Sequence, residues 1–373
     1  MHKENIRMAS VMVTALTLLG SLSALSDSAD AAAFDIEFEE LAPGVWAGIR
    51  PDAPRFPVMG TSVFVIGEEG VVVFDGGGVP VMAEKVIDKI RSLTNAPVTQ
   101  VVISHWHGDH NFGIHRFAEE FPNVQFIAHR FTHAVMNASR IRYIDNYPDF
   151  IENNLPVAKE ILATGLTQNG DPVSLTDRKE YERMVEDAEE IDVEYKRARV
   201  TSPNVVFDES LRIYLGDKPI ELLKLGHGNT EGDIVMWLPN EKIVATGDIV
   251  VMPSPYAFNV PPRPWAATLK KINELNYEIL VPGHGAIQRD TRYVDLLIEA
   301  SESIADQRDA MVAQGMSHDE IQEQLDFHDF EERFTGGDEY LSGYYTDYFE
   351  RPFRAAATKA LTGEPMVTIE RPE

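Results

Sequence analysis

The chain of 373 residues contains no cysteine. Disulfide bonds are therefore excluded, and a thiolate can serve neither as a metal ligand nor as a nucleophile. The folded state must be stabilised by its apolar core and by any metal ion that it binds.

Positive charge is also scarce, because 33 Lys and Arg side chains stand against 60 Asp and Glu side chains, a net charge of −27. Such a field repels a phosphate backbone, so nucleic acid is not expected as a partner. We interpret the acidity as a property that favours solubility.

Long apolar runs are missing beyond the first residues. Lys3 and Arg7 precede an apolar stretch at 11–25, and small residues fill 26–33. This layout predicts a signal peptide over residues 1–33, because the apolar stretch is too short and too polar for a good spanning helix. We expect a periplasmic or secreted protein with no stable membrane insertion after cleavage; an uncleaved anchor is the alternative.

Histidine and aspartate are concentrated in one heptapeptide, Ser-His-Trp-His-Gly-Asp-His at 104–110. It follows an apolar run at 98–103 that is typical of a buried strand. In an extended chain His105, His107 and Asp109 would face one side and His110 the other. Imidazole nitrogen and carboxylate oxygen are ligands of zinc and similar cations, so the heptapeptide predicts a metal site. An exposed polar turn is the alternative.

Three later motifs each follow a strand-like run and each contribute one candidate metal ligand. They are Gly-His-Gly-Asn-Thr-Glu-Gly-Asp at 226–233, Ala-Thr-Gly-Asp at 245–248 and Pro-Gly-His-Gly at 282–285. Their candidate ligands are His227, Asp248 and His284. Each would therefore lie in a loop at a strand end.

These four motifs, in this order, resemble the metallo-β-lactamase superfamily over roughly residues 44–287. The resemblance implies two Zn²⁺ ions per chain, with Fe or Mn as alternatives. It implies a first ion held by His105, His107 and His227, a second held by Asp109, His110 and His284, and Asp248 as the bridge between them. It also makes Asp109, with His105 and His107, the candidate catalytic set.

The order of predicted elements indicates an α/β fold. An antiparallel meander leads into a strand-helix-strand unit around 71–103, and the pattern recurs after residue 227, which suggests two mixed sheets between helices. The resemblance implies a four-layer αββα sandwich as the catalytic domain over 34–290. A helical insertion at about 131–204 is either a lid over the metals or a solvated surface. A helical C-terminal extension over 291–373 is a cap or the contact of a homodimer.

Three further residues have two interpretations each. Asp75, at the end of the run 71–74, either caps the next helix or orients a metal ligand. Tyr256 either donates to a developing oxyanion or only packs. Asn229 either contacts substrate or supports the site. His115, His129 and His133 have no motif around them and are predicted to be surface or packing residues rather than ligands.

The ligand set predicts hydrolysis of a small carbonyl compound, an amide, lactone, ester or thioester, by hydroxide made available at neutral pH by the metals. In the β-lactamases that the chain resembles, Cys or Ser occupies the position of Asp248, and many have Lys at the position of Val251. This departure favours the thioesterase and lactonase branches. A β-lactamase proper, a mononuclear iron sulfur dioxygenase and a non-catalytic binding protein are the alternatives.

Overall fold

The computed structural model describes residues 32–369, so the predicted signal peptide lies outside the described residues except for Ala32 and Ala33. Two sheets dominate the described chain. The first sheet contains, side by side in chain order, β1 (Glu37–Ala42), β2 (Val45–Ile49), β3 (Ser62–Ile66), β4 (Val71–Phe74), β5 (Val98–Val102), β6 (Gln125–His129) and β7 (Val205–Phe207). The second contains β8 (Ser210–Leu215), β9 (Lys218–Leu223), β10 (Val235–Leu238), β11 (Ile243–Ala245) and β12 (Ile279–Val281).

Both sheets are mixed. Strands β1 to β4 form the predicted antiparallel meander, and β4 to β7 are parallel. In the second sheet only the β11 and β12 pair is parallel. The carboxyl ends of parallel neighbours meet at one sheet edge, which is where ligand sites of α/β proteins form.

Helices occupy the connections and the C-terminal region. The α-helices are α1 (Pro80–Leu93), α2 (Gly108–Asn111), α3 (His115–Glu120), α4 (Arg130–Met136), α5 (Phe150–Thr164), α6 (Leu175–Glu186), α7 (Ala188–Arg197), α8 (Pro262–Glu274), α9 (Arg292–Ala313), α10 (His318–Gln324), α11 (His328–Thr335), α12 (Glu339–Tyr345) and α13 (Arg351–Lys359). Two 3₁₀ helices span Ser139–Asn146 and Gly247–Ile249, and a π-helical turn spans Thr346–Glu350. Ser317 and Glu320 form a capping box at the start of α10.

The predicted four-layer αββα sandwich is confirmed by three apolar cores. One core lies between the sheets, where Val63 of β3 and Leu222 of β9 belong to the same buried cluster. Another joins the first sheet to α1 and α3, and a third joins the second sheet to α8, α9 and the C-terminal helices. Burial of alternating β-branched residues on both faces of each sheet drives this layering.

The insertion and the C-terminal extension meet over the same edge of the sandwich. The hydroxyl of Thr176 in α6 donates to the carbonyl of Tyr340 in α12 at 2.8 Å. The Tyr340 hydroxyl in turn donates to the carbonyl of Pro54 at 3.0 Å. The insertion and the C-terminal extension are thus linked by hydrogen bonds to each other and to the sandwich. Within residues 32–369, the structure contains no helix with the length and hydropathy needed to cross a bilayer.

Candidate metal centre and cavity

The heptapeptide at 104–110 begins where β5 ends, as predicted, but it does not remain extended. Helix α2 starts at Gly108 and turns the backbone. The rings of His105 and His110 are therefore only 4.6 Å apart, and both side chains are buried. The expectation that His110 faces away from His105 is wrong, because the 100° step of a helix replaces the 180° step of a strand.

One group of donor atoms combines Asp109, His110, Asp248 and His284. The Nε2 atom of His110 lies 3.3 Å from Oδ2 of Asp109 and 3.1 Å from Oδ1 of Asp248. The Nε2 atom of His284 lies 3.1 Å from the same Asp109 oxygen. Residues almost 180 positions apart in sequence thus converge on one point.

A second group combines His105, His107 and Asp248, whose donor atoms all lie within 4.8 Å of one another. The Nε2 atom of His105 is 3.6 Å from Oδ2 of Asp248, too far for a hydrogen bond. It is buried and has no hydrogen-bond partner among residues 32–369. Asp248 is therefore shared by the two groups, one carboxylate oxygen facing each.

These donors fit divalent cations. The Nε2 atoms of His110 and His284 face each other at 3.2 Å, between two carboxylates. The buried Nε2 of His105 would lose its hydration without compensation unless a cation used its lone pair. Histidine and aspartate without thiolate suit zinc, iron or manganese.

The electrostatics of the groups agree with this donor role. Burial, reinforced by His107 and His110, lowers the pKa of His105 far below its ordinary value, so its imidazole is neutral and can bind a metal. Burial alone would also lower the pKa of His110, but Asp248, Asp109 and Asp75 outweigh burial and raise it.

Asp75 lies behind His110. Its Oδ2 atom is 3.0 Å from Nδ1 of His110, and its Oδ1 atom accepts a hydrogen bond from the backbone N–H of Ser104 at 2.8 Å. The interpretation of Asp75 as a helix cap is wrong, because the N-cap of α1 is Val79 and α1 has no side-chain cap. The carboxylate instead fixes the ring orientation of a candidate metal ligand.

Two glycines allow the ligands to approach the backbone. A Cβ atom at Gly283 would collide with Oδ1 of Asp248, and one at Gly60 would collide with the ring of His110. The carbonyl of Gly283 also accepts a hydrogen bond from Thr61 N–H at 2.7 Å, which links the loop after β12 to the start of β3. Asp248 and His110 thus occupy space that only glycine leaves open.

His227 is half-buried in the loop between β9 and β10 and belongs to neither donor group. Burial and then the charge of Lys224 lower the pKa of His227 to about 4, so its ring is neutral. The loop itself is held by Asp233, whose carboxylate accepts from Thr230 N–H at 2.6 Å. The role of His227 as a metal ligand stays a prediction.

A cavity of about 640 Å³ opens onto the donor groups. It is lined by Val58, Trp106, His107, Asp109, Tyr143, Tyr147, Asp248, Tyr256, Phe258 and Tyr348. The insertion supplies Tyr143 and Tyr147, and the C-terminal extension supplies Tyr348. Among the residues whose side chains the structure describes, the lining contains no Lys or Arg.

Tyr256 and Asn229 occupy different positions around this cavity. Tyr256 lines it, 5.3 Å from the ring of His284 between ring centroids, and its hydroxyl shares a hydrogen bond with that of Tyr344. The buried Asn229 is not in the lining; its Oδ1 accepts from Phe258 N–H at 3.2 Å. Asn229 thus supports a wall residue.

Sequence reasoning missed Tyr348 and gave Tyr143 and Tyr147 no individual role. The one available signal was the spacing of Tyr143 and Tyr147, four residues apart within an insertion between two metal motifs. No sequence signal indicated a role for Tyr348, because only the fold brings the C-terminal extension to the cavity. Of the other histidines, His129 caps α4 by accepting from Phe131 N–H, and His115 and His133 belong to neither donor group.

The family model described as the metallo-beta-lactamase superfamily matches residues 55–284. Atrochrysone carboxyl ACP thioesterase of Aspergillus terreus (strain NIH 2624 / FGSC A1156) is 26% identical over 90 residues, which are 24% of this chain and 28% of the relative. Lactamase-like protein ptaB of Pestalotiopsis fici (strain W106-1 / CGMCC3.15140) is 27% identical over 90 residues, with the same shares. The chain thus spans about a quarter of the length of the curated relatives it matches.

Among solved structures, the inverting sec-alkylsulfatase Pisa1 from Pseudomonas sp. has a TM-score of 0.54 and 14% identity, covering 88% of this chain and 51% of its own. A metallo-beta-lactamase from Pontibacter korlensis has a TM-score of 0.48 and 17% identity, covering 72% of this chain and 99% of its own. At these identities the likeness to the sulfatase supports the fold alone.

Proposed function

The chain belongs to the metallo-β-lactamase superfamily, and from that premise we propose that it is a dinuclear metal-dependent hydrolase of small carbonyl compounds. The observation that carries the proposal is the pair of donor groups that share Asp248 and open onto one cavity. A single-ion enzyme would leave one of these buried groups without a cation. Zinc is the proposed metal, with iron or manganese as alternatives.

His105 and His107, with His227 as the predicted third ligand, would hold one ion, and Asp109, His110 and His284 the other, with Asp248 between them. When bound, divalent cations supply a water of lowered pKa and polarise a carbonyl oxygen.

The protein's own contribution centres on Asp109. Burial would raise the pKa of its carboxyl, but the charge of His110 and hydrogen bonds with His110 and His284 hold it below its ordinary value. Its side chain is 26% exposed and lines the cavity. An ionised Asp109 would therefore accept a hydrogen bond from the attacking water and orient it toward the carbonyl carbon.

The cavity supports a preference for neutral substrates. Four tyrosine rings line it together with the rings of Trp106 and Phe258, and the lining has no Lys or Arg among the side chains that the structure describes. Val251, where many resembling β-lactamases have Lys, is buried and 1% exposed. We infer that esters, lactones and thioesters with an apolar acyl or aryl group are better substrates than β-lactams, whose carboxylate needs a cationic partner.

The test is hydrolysis of a matched pair of aryl esters, equal in size, of which one carries a carboxylate on its acyl group. An aryl thioester, an acyl lactone and a chromogenic cephalosporin complete the panel. The proposal predicts at least a tenfold higher kcat/KM for the neutral ester and loss of turnover in His107→Ala. One iron per chain with oxygen consumption and no hydrolysis would contradict it and favour the dioxygenase.

We also propose export to the periplasm or beyond the cell, on the layout of residues 1–33. Fractionation of cells that express the full chain, beside a variant lacking residues 2–31, tests it. Export predicts a shortened protein outside the cytoplasm only for the full chain. A full-length protein in the cytoplasm would contradict the proposal.

A further inference from the structure

Tyr143 reaches from the insertion to the metal-binding loop. It lies in the 3₁₀ helix Ser139–Asn146, and its phenol oxygen accepts a hydrogen bond from the backbone N–H of Gly108 at 2.7 Å. Gly108 stands between His107 and Asp109, which belong to the two donor groups. The hydroxyl of Tyr143 is therefore held beside both groups.

The direction of this hydrogen bond leaves the phenol proton available. A backbone N–H can only donate, so the oxygen of Tyr143 must accept. No residue among 32–369 accepts a hydrogen bond from the Tyr143 hydroxyl. Tyr256 differs from Tyr143 in this respect. Its hydroxyl and the hydroxyl of Tyr344 form a hydrogen bond with each other, which uses one of the two phenol protons.

The ring of Tyr143 is fixed in a position that faces the cavity. It packs against Phe112 with ring centroids 5.4 Å apart and against Tyr147 at 6.2 Å. It lines the cavity together with Asp109 and Asp248. A substrate carbonyl placed at the donor groups would thus lie close to the free O–H.

The surroundings also keep the hydroxyl protonated. Tyr143 is 36% exposed, and its partial burial and then the charge of Asp109 raise its pKa above the ordinary value. Accepting a hydrogen bond from Gly108 polarises the O–H and makes it a better donor. Partial burial and the charge of Asp109 both favour the protonated phenol, which is the form that can donate a hydrogen bond.

We propose that Tyr143 is a catalytic residue, whose hydroxyl donates a hydrogen bond to the substrate oxygen that becomes negative when the carbonyl carbon is attacked. The proton stays on the phenol, and the hydrogen bond strengthens as charge develops, which lowers the barrier rather than the KM. This inference rests on the proposed function. The alternative is that Tyr143 only anchors the loop at Gly108.

The test is Tyr143→Phe, which keeps the ring and removes the hydroxyl, with Tyr214→Phe, the same change at an exposed tyrosine of β8 outside the lining, as the control. For the neutral aryl ester we expect kcat to fall about 100-fold in Tyr143→Phe, as when one oxyanion donor is removed. KM should change less than threefold and metal content should not change. Tyr214→Phe should keep kcat within threefold.

Binding of an aryl methylphosphonate, whose tetrahedral anionic centre resembles the attacked carbonyl, gives a second readout by calorimetry. Its affinity should weaken at least tenfold in Tyr143→Phe and not in Tyr214→Phe. Lost metal together with lost activity would overturn the inference in favour of an anchoring role. Unchanged kcat with an active wild type would overturn this inference alone, whereas a wild type inactive on the whole panel would overturn the proposed function as well.

Discussion

The Nδ1 atom of His110 lies 3.0 Å from the Oδ2 atom of Asp75, a buried contact between residues 35 positions apart. The second Asp75 oxygen is held by the N–H of Ser104. The contact fixes the His110 ring so that Nε2 faces Asp109 and Asp248. One carboxylate thus connects the end of β4 to the heptapeptide after β5.

Substitution Asp75→Asn should therefore weaken metal binding without removing a ligand. We expect the affinity for one of the two ions to fall about 10- to 100-fold, the range found when a hydrogen-bond partner of a ligating histidine is lost. Competition with a chromogenic chelator measures it. Asp88→Asn, an exposed change in α1, is the control. Equal affinities in the wild type and Asp75→Asn would show that Asp75 does not orient His110.

Gly283→Ala tests the close approach of the backbone to Asp248. The new methyl group would displace the Asp248 carboxylate, because a Cβ there meets Oδ1. We expect metal content to fall below half of the wild-type value. Gly315→Ala is the control, since its φ of +80° adds strain of about 1 kcal/mol but no collision. A fully metallated Gly283→Ala would mean that the shared carboxylate tolerates displacement.

His227→Ala tests the ligand that the structure leaves outside both donor groups. If the loop between β9 and β10 closes on a bound ion, the variant should lose one ion per chain and keep the other. His328→Ala, an exposed histidine of α11, should keep both. Mass spectrometry under native conditions counts the ions. Two ions retained in His227→Ala would remove His227 from the ligand set.

Glu180 in α6 should make stability depend on pH. Burial, then Asp177 and Asp347, raise the pKa of its carboxyl to about 7, above that of the unfolded chain. The folded state therefore binds this proton more tightly than the unfolded chain does. The resulting contribution to the free energy of unfolding is fully present below about pH 4.5 and is lost as pH rises through about 7. The stabilisation lost is on the order of 2 kcal/mol.

Urea unfolding from pH 5 to pH 8 measures this loss. Glu180→Gln should be more stable than the wild type at pH 8 and should show a flatter profile. Glu182→Gln, an exposed change in the same helix, should leave the profile unchanged. Parallel profiles for the wild type and Glu180→Gln would show that Glu180 titrates normally.

The sequence predicts the αββα order and the strand-end positions of His105, Asp248 and His284, because buried strands and histidine motifs are local patterns. It does not predict the inward turn of His110, since that depends on whether the chain after His107 continues as a strand or starts a helix at Gly108. A continued strand would place His110 on the face opposite His105, whereas a helical turn brings the two residues to the same side.

The cavity walls depend on contacts between distant segments. Tyr143 and Tyr348 meet the heptapeptide only because the insertion and the C-terminal extension fold over one edge. Aromatic residues at helical spacing fit a packing face equally well, so their pattern cannot separate a wall from a core. Asp75 had two interpretations for a similar reason, because a carboxylate after a strand suits both a cap and a histidine partner.

A dinuclear centre bridged by Asp248 is tested by counting the divalent ions per purified chain in the wild type and in Asp248→Ala. We expect two ions per wild-type chain, and the loss of at least one ion and of all hydrolysis in Asp248→Ala, because both donor groups include this carboxylate. One ion in the wild type, or two ions retained without Asp248, would contradict the bridged dinuclear centre.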